Sequence, residues 1–509
     1  MDLDLRFDPA KYDTGRVRAC GREVAYRFYA NIPYAARPNA PEAQVLNIYV
    51  PESALGSRSA PIYFLQRSGG MGSCAPYTLE QERAAIAAAA EMEARLRIAS
   101  PRPVGKSESW ADATGAWHDC TGAFLPRALA EGYVVVSPGA RGRETVVDGV
   151  YVGRGALPMT IIDLKAALRW LHYNAERLPA DTERIIVDGT SSGGGLSALL
   201  GASGNSPRYA PYLRAIGAAE ARDDVFCAVV NSPITDFEHI DAAYEWLFSP
   251  TRVTGLFDGD AASRALSEAL GAEFERYVNS LALADPRTGA PVGFGAADSY
   301  TPYLLARLGE SATVFLRSLD EREREAWLAD PKNAGVVRWD GETAEVSDIS
   351  RYVNWNSGRW MRYVGCYDGF FSQPSRENEA FGAPDGALGH FSRCFGGCLA
   401  AQPGREAEGR AWITAAEQNA DAVSLLDPLT FIGTGEPADL APHWFMRCGA
   451  HHETTANLFL NLVLRLRNRT DANINARYVW QHRHTAISNL LPDETFAFLN
   501  EICGRDTRC

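Results

Sequence analysis

Short apolar runs and amphipathic stretches alternate through the first half of the chain. "VLNIYVP" (45–51), "APIYFLQ" (60–66), "GYVVVSPG" (132–139) and "RIIVDG" (184–189) are β-branched and bounded by Gly or Pro, and they read as buried strands. Between the last two lies "TIIDLKAALRWLHYNAERL" (160–178). There Ile162, Leu164, Ala167, Leu168 and Leu171 recur at helical spacing, with Asp163 expected in the first turn. "VFCAVVNSP" (225–233) reads as the next central strand. Strand–helix–strand alternation predicts an α/β fold, a mostly parallel sheet with helices on both faces.

The pattern breaks near residue 240. From there to about 430 the chain is richer in aromatic, Gly and charged residues, with a solvated helix expected at "SLDEREREAWLAD" (318–330). Sheet signals resume at "HWFMRCG" (443–449), followed by the helix "TTANLFLNLVLRLRN", the strand "NARYVWQ" and a closing helix "PDETFAFLNEI". The economical organisation is one α/β domain, residues 1–240 and 431–509, interrupted by an insertion over 241–430.

Composition narrows the partners. The 509 residues are 46% hydrophobic and 10% aromatic, enough for a large core. With 50 basic and 63 acidic residues the net charge is −13, which argues against nucleic acid or an anionic membrane as partner. No run approaches the roughly 18 apolar residues of a membrane span, and the acidic start "MDLDLRFDPAKY" has no signal-peptide pattern. Among ten cysteines, the near pairs Cys394/Cys398 and Cys503/Cys509 form no CxxC, so neither a disulfide framework nor a zinc site is expected. A cytoplasmic protein with reduced thiols and no metal or cofactor is the plain expectation.

"IIVDGTSSGGGLSALL" (185–200) carries a G-x-S-x-G match between an expected strand and an expected helix. A nucleophile elbow needs that context: Ser191 on a strained turn, with Gly189 and Gly193 small enough for strand and helix to approach. A phosphate-binding loop is the competing reading, but the chain has no G-x-x-x-x-G-K-[ST]. Oxyanion donors are expected from the amide of Ser192 and from "LQRSGGMGS" (65–73), at Gly69 and Gly70. The base should be a late His, and "VWQHRHTAIS" offers His482 and His484 equally. The acid should follow "HWFMRCG". That loop reads "AHHETTA", whose only carboxylate is Glu453; Asp236, one strand earlier, is the alternative.

Taken together, "YRFYANIPYA", "LNIYVPE", "GTSSGGGLSALLGASGNSP", "NSPITDFEHIDAAYEW", "SRENEAFG" and "HWFMRCG" make the chain resemble the bacterial subtype B tannases, within the tannase/feruloyl esterase group of α/β-hydrolases. The resemblance implies an α/β-hydrolase fold with a late-inserted lid, and a Ser–His–Asp triad acting on galloyl and related phenolic esters. It places the nucleophile on Ser191 and, through a W-x-x-x-H segment, the base on His484. The family's triad Asp falls on His452, and a second Asp that holds phenolic hydroxyls falls on Thr454. A lid Lys falls on Arg362, and the lid Glu of an S-x-E-N-like motif on Glu377. The leading expectation is therefore a serine esterase for small-molecule aromatic esters with an atypical acid. The alternatives are a weakened or inactive binding protein and an acyltransferase using the same acyl-enzyme.

Overall fold

The structure is a computed structural model that describes residues 2–95, 108–119, 123–253, 259–356, 363–369, 375–484 and 492–509. The chain forms two compact units. The first comprises Met1–Asn231, Gly435–Phe445 and Thr485–Cys509; the second comprises Ser232–Thr434 and Met446–His484.

Unit 1 is built on a mixed sheet. Its strands are β1 (Asp13–Ala19), β2 (Arg22–Pro33), β3 (Val45–Pro51), β4 (Pro61–Leu65), β5 (Ser109–Ala111), β6 (Trp117–Asp119), β7 (Val134–Pro138), β8 (Asp181–Thr190), β9 (Cys227–Asn231) and the start of β10 (His443–Gly449). The spatial order is β10-β9-β8-β4-β7-β3-β2-β1-β5-β6. The central strands β9, β8, β4 and β7 pair in parallel. From β7 outward to β6 every pairing is antiparallel. Strands β3, β4, β7 and β9 are buried along their whole length, which explains why each reads as a nearly continuous apolar run rather than an alternating one.

One face of this sheet carries a core of Tyr63, Phe124, Leu125, Tyr133, Val135, Phe445, Phe496 and Leu499, which brings in the helices Phe124–Glu131 and Pro492–Ile502. Two further helices matter here, α1 (Met159–Tyr173) and α2 (Ser192–Ala202). Helix α1 starts and stops earlier than the spacing predicts. Asp163 therefore does not sit in the first turn. It lies one turn in, fully buried, and takes both arms of the Arg141 guanidinium at 2.7 and 2.9 Å together with the Gln44 amide at 2.9 Å. A buried carboxylate is held by its partners rather than by the helix dipole.

The thiol expectation is also corrected. Cys20 and Cys509 form a disulfide across 489 residues of sequence, a pairing that spacing along the chain cannot reveal. No helix among the described residues is long and apolar enough to cross a membrane.

Unit 2 is largely helical, with Ile240–Leu247, Ala261–Ser280, Tyr300–Ser318 and Glu321–Ala329 followed by α3 (Ile349–Asn356). It also contains the end of β10, then α4 (Ala456–Arg469) and β11 (Asn473–Val479), which lies beside β10. The helix Glu321–Ala329 has no buried residue and is capped by an Asp320/Glu323 capping box, as its charged composition predicts.

Candidate active site

Within unit 1, β8 ends at Thr190 and α2 begins at Ser192, leaving Ser191 as the hinge between them. Its φ of 63° and ψ of −129° lie where L-residues are strained, and backbone hydrogen bonds to β9 and to α2 hold it there. The Ser191 amide donates to Asn231 O at 3.0 Å, and its carbonyl accepts from Gly195 N at 3.0 Å. Gly189 cannot carry a side chain, because a Cβ would lie 2.3 Å from Gly193 O and closer still to Gln66. Ser192 is the first residue of an 11-residue helix with no acidic side chain in its first turn, so free amides and the dipole favour negative charge beside Ser191.

Gly69–Met71 forms a tight turn after β4, with Gly70 and Met71 both left-handed at φ 60° and 55°. A single buried side chain ties this loop to the turn at Ser191. Gln66 Oε1 accepts from Ser68 N at 3.1 Å, while its Nε2 donates to Gly193 O and, at 3.3 Å, to Ser197 Oγ. Beneath them Asp188 accepts from the Tyr63 hydroxyl at 2.6 Å and the Asn231 amide at 3.0 Å. Burial pushes the Asp188 carboxyl up, with Arg67 and these donors opposing.

Unit 2 holds the other titratable groups. Glu453 is fully buried, and its carboxylate oxygens lie 3.0 and 3.1 Å from His484 Nδ1. A carboxylate only accepts, so Nδ1 carries the proton and Nε2 is left as the acceptor. Glu453 Oε1 also accepts from Thr454 N, Thr455 N and Thr455 Oγ1, at 2.9, 3.1 and 3.0 Å. Burial alone would raise this acid, but His484, the Ser232 hydroxyl and the Thr455 amide together hold it below its ordinary value. For His484 burial favours the neutral ring, and Glu453 overrides it to raise the imidazole. Asp236 is engaged elsewhere, 2.8 Å from His239 Nδ1, with that ring stacked on Tyr277. His482 is buried and uses its backbone, accepting from His451 N at 3.1 Å and donating to Val479 O at 3.2 Å.

His452 has a left-handed backbone at φ 48°. Burial, aided by Arg483, pushes its imidazole down to about 4, and His451 is pushed down to about 3. Both rings are neutral at pH 7, so His452 does not replace a carboxylate. Thr454 Oγ1 and the Tyr367 hydroxyl share a hydrogen bond of 2.9 Å. The backbone around Tyr367 is pinned by Asp241, which accepts from the amides of Cys366, Tyr367 and Asp368, and burial pushes Asp241 up to about 7. Asp368 in turn accepts from Asn378, His390, Phe391, Ser392 and Trp412. Glu377 is buried in the first turn of Arg376–Phe381, close enough for its charge to act on the Tyr367 phenol. Arg362 lies outside the described residues.

Four contributors were not singled out by sequence reasoning: Gln66, Ser232, Asn356 and Tyr367. Asn356 and Tyr367 act on a loop 97 and 87 residues further along, and no local pattern signals that.

A family model described as BD-FAE matches residues 110–288. The tannase of Fusobacterium nucleatum is 27% identical, with 99% of this chain and 100% of that chain covered at a TM-score of 0.75. The tannin acyl hydrolase of Lactobacillus plantarum is 29% identical over 98% and 99%, also at 0.75. The esterase LipC of Mycobacterium tuberculosis is 34% identical over 87 residues, 17% of this chain and 19% of that protein. The probable carboxylic ester hydrolase LipM of the same organism is 33% identical over 97 residues, 19% and 21% of the two chains. The chain thus spans about a fifth of the length of the curated esterases it matches, but all of the tannase structures. These relatives support a carboxylic ester hydrolase, and the chain has an α/β-hydrolase fold similar to that of the tannases.

Proposed function

We propose that the protein is a serine esterase that cleaves esters of aromatic, phenolic acids through an acyl-enzyme on Ser191. The observation that carries this reading is the Glu453–His484 pair, which supplies an imidazole with Nδ1 protonated and Nε2 as its acceptor nitrogen. Its partner would be Ser191, held at a positive φ between β8 and α2. In this mechanism His484 Nε2 takes the Ser191 Oγ proton as Oγ adds to the ester carbonyl. The amides of Ser192 and Gly69–Gly70 receive the oxyanion, and His484 returns the proton to the departing alcohol. Water then attacks the acyl-Ser191 ester by the same route, releasing the acid. Glu453 stays ionised and stabilises the imidazolium.

Residues 241–430 would form the lid over the acyl group, and Glu377, Thr454 and His452 would bind the substrate, with Arg362 joining them on the resemblance alone. The phenolic class is supported by relatives named tannases, one of them solved with 3,4-dihydroxybenzoate. The pair Thr454–Tyr367 offers neutral hydroxyls where the family has a carboxylate, so selectivity should depart from that for a trihydroxybenzoyl group.

A fluorophosphonate probe should label the folded protein, and Ser191→Ala should abolish labelling and lower ester turnover by at least ~10³-fold. Folded wild-type protein that is neither labelled nor active on p-nitrophenyl acetate, methyl gallate or methyl ferulate would overturn the assignment.

A further inference from the structure

We infer that Asn356 is a positioning residue for the Glu453–His484 pair, an inference that rests on the function proposed above. Asn356 ends helix α3 and is fully buried. Its side-chain amide closes a ring with the Glu453 peptide: Nδ2 donates to Glu453 O at 2.8 Å, and Oδ1 accepts from Glu453 N at 2.8 Å. Its backbone carbonyl accepts from His452 N at 2.6 Å. Three hydrogen bonds from one residue therefore fix His452, where the acid loop bends into the left-handed region, and Glu453 beside it.

The donors on the Glu453 carboxylate do a different job. Thr454 N, Thr455 N and Thr455 Oγ1 set the carboxylate against its own downstream turn, not against the imidazole. Helix α3 places the loop at His452 and Glu453, alongside Tyr367 on Thr454 and His482 O on His451 N, and the same helix also grips the chain that carries His484. Trp355 stacks on Trp480 with ring centres 4.3 Å apart and planes 9° apart, and meets His451 edge-on at 4.6 Å. One helix end thus holds both the acid loop and the end of the strand leading to the base. Without the Asn356 amide, Glu453 N and O both lose their side-chain partner in a buried site; the backbone bond to His452 N remains, and the loop shifts at Glu453 itself. Because the carboxylate must meet Nδ1 at hydrogen-bond distance, a small displacement is amplified in the rate.

The test measures kcat and KM on p-nitrophenyl acetate across pH for wild type, Asn356→Ala, Asn356→Asp, Glu453→Gln and the double variant Asn356→Ala/Glu453→Gln. Folding is checked by circular dichroism and melting. We expect Asn356→Ala to lower kcat by roughly ten- to hundredfold with KM little changed. Asn356→Asp, which keeps the acceptor but loses the donor, should fall between it and wild type. The acid limb of the pH profile should move to lower pH, as in Glu453→Gln, because a displaced carboxylate raises the imidazole less. The double variant should be no slower than Glu453→Gln alone. If Asn356→Ala does not fold, Asn356→Asp decides the matter on the same criteria. An unmoved acid limb, additive losses in the double variant, or failure of both single variants to fold would each overturn the role. Turnover that depends on Ser191 and Glu453 but ignores Asn356 sinks this inference alone. Absence of wild-type turnover sinks the functional reading and this role with it.

Discussion

Glu453 and Asp236 are both buried carboxylates beside a histidine, and the difference between them lies in what each histidine can reach. Asp236 binds His239, whose ring is stacked on Tyr277 and sits near Asp427, a carboxyl that burial pushes up to about 8. Glu453 binds His484, the residue to which the W-x-x-x-H spacing points. Glu453→Gln should accordingly lower kcat by at least ~100-fold, while Asp236→Asn stays near wild type. The pH profile adds a direction. Glu453 raises His484, so kcat/KM should rise with pH through a limb above the ordinary imidazole value of ~6.5, and that limb should drop in Glu453→Gln. Burial pushes His451 and His452 down to about 3 and about 4, well below that limb. Equal losses in both variants, or a limb that does not move, would reject Glu453 as the acid. The resemblance placed the family's Asp on His452, whereas the carboxylate that meets His484 belongs to the next residue. That shift involves a positive φ and a longer side chain, and neither is written in a motif.

Helix α1 illustrates how far hydrophobic spacing carries an element. Its buried stripe was legible, yet the same helix buries Lys165 and Asp163, which a binary pattern assigns to solvent. Lys165 Nζ donates to Ser203 O at 2.7 Å and to Asp223 at 2.8 Å, and Arg169 reaches the other Asp223 oxygen at 2.7 Å. Burial pushes the Asp223 carboxyl up, but the two cations outweigh it and hold it below its ordinary value. Removing the carboxylate leaves a buried ammonium uncompensated, so Asp223→Ala should cost ~3–5 kcal/mol in urea unfolding at pH 7. A depressed acid contributes stability above its unfolded pKa of ~3.9, and that contribution is lost as pH falls through the folded value. The gap between wild type and variant should therefore narrow on acidification; a loss under ~1 kcal/mol would show that the pair is dispensable. Strands β1 and β2 went unseen for the opposite reason. β2 is only partly buried and carries Arg22, Glu23 and Arg27, which dilute its apolar face, whereas β3, β4 and β7 are buried throughout.

At the scale of the whole molecule, the sequence showed an α/β pattern broken near residue 240, and the structure changes from unit 1 to unit 2 after Asn231. What local reading could not show is how three separate stretches of chain make unit 1, because that depends on pairings between distant residues. The disulfide is one such pairing. It joins Cys20 to Cys509, so residues 20–509 form a covalent ring rather than a string. A ring has no fragment to lose at its first cut. Limited proteolysis at any one bond between those cysteines should leave a single band of unchanged mass on a non-reducing gel, and two bands once thiol is added. A first cut that frees a fragment without reductant would show that the ring is open. For the same reason a nicked protein keeps its parts at high effective concentration, and it should refold from denaturant as one molecule as long as the tether is oxidised.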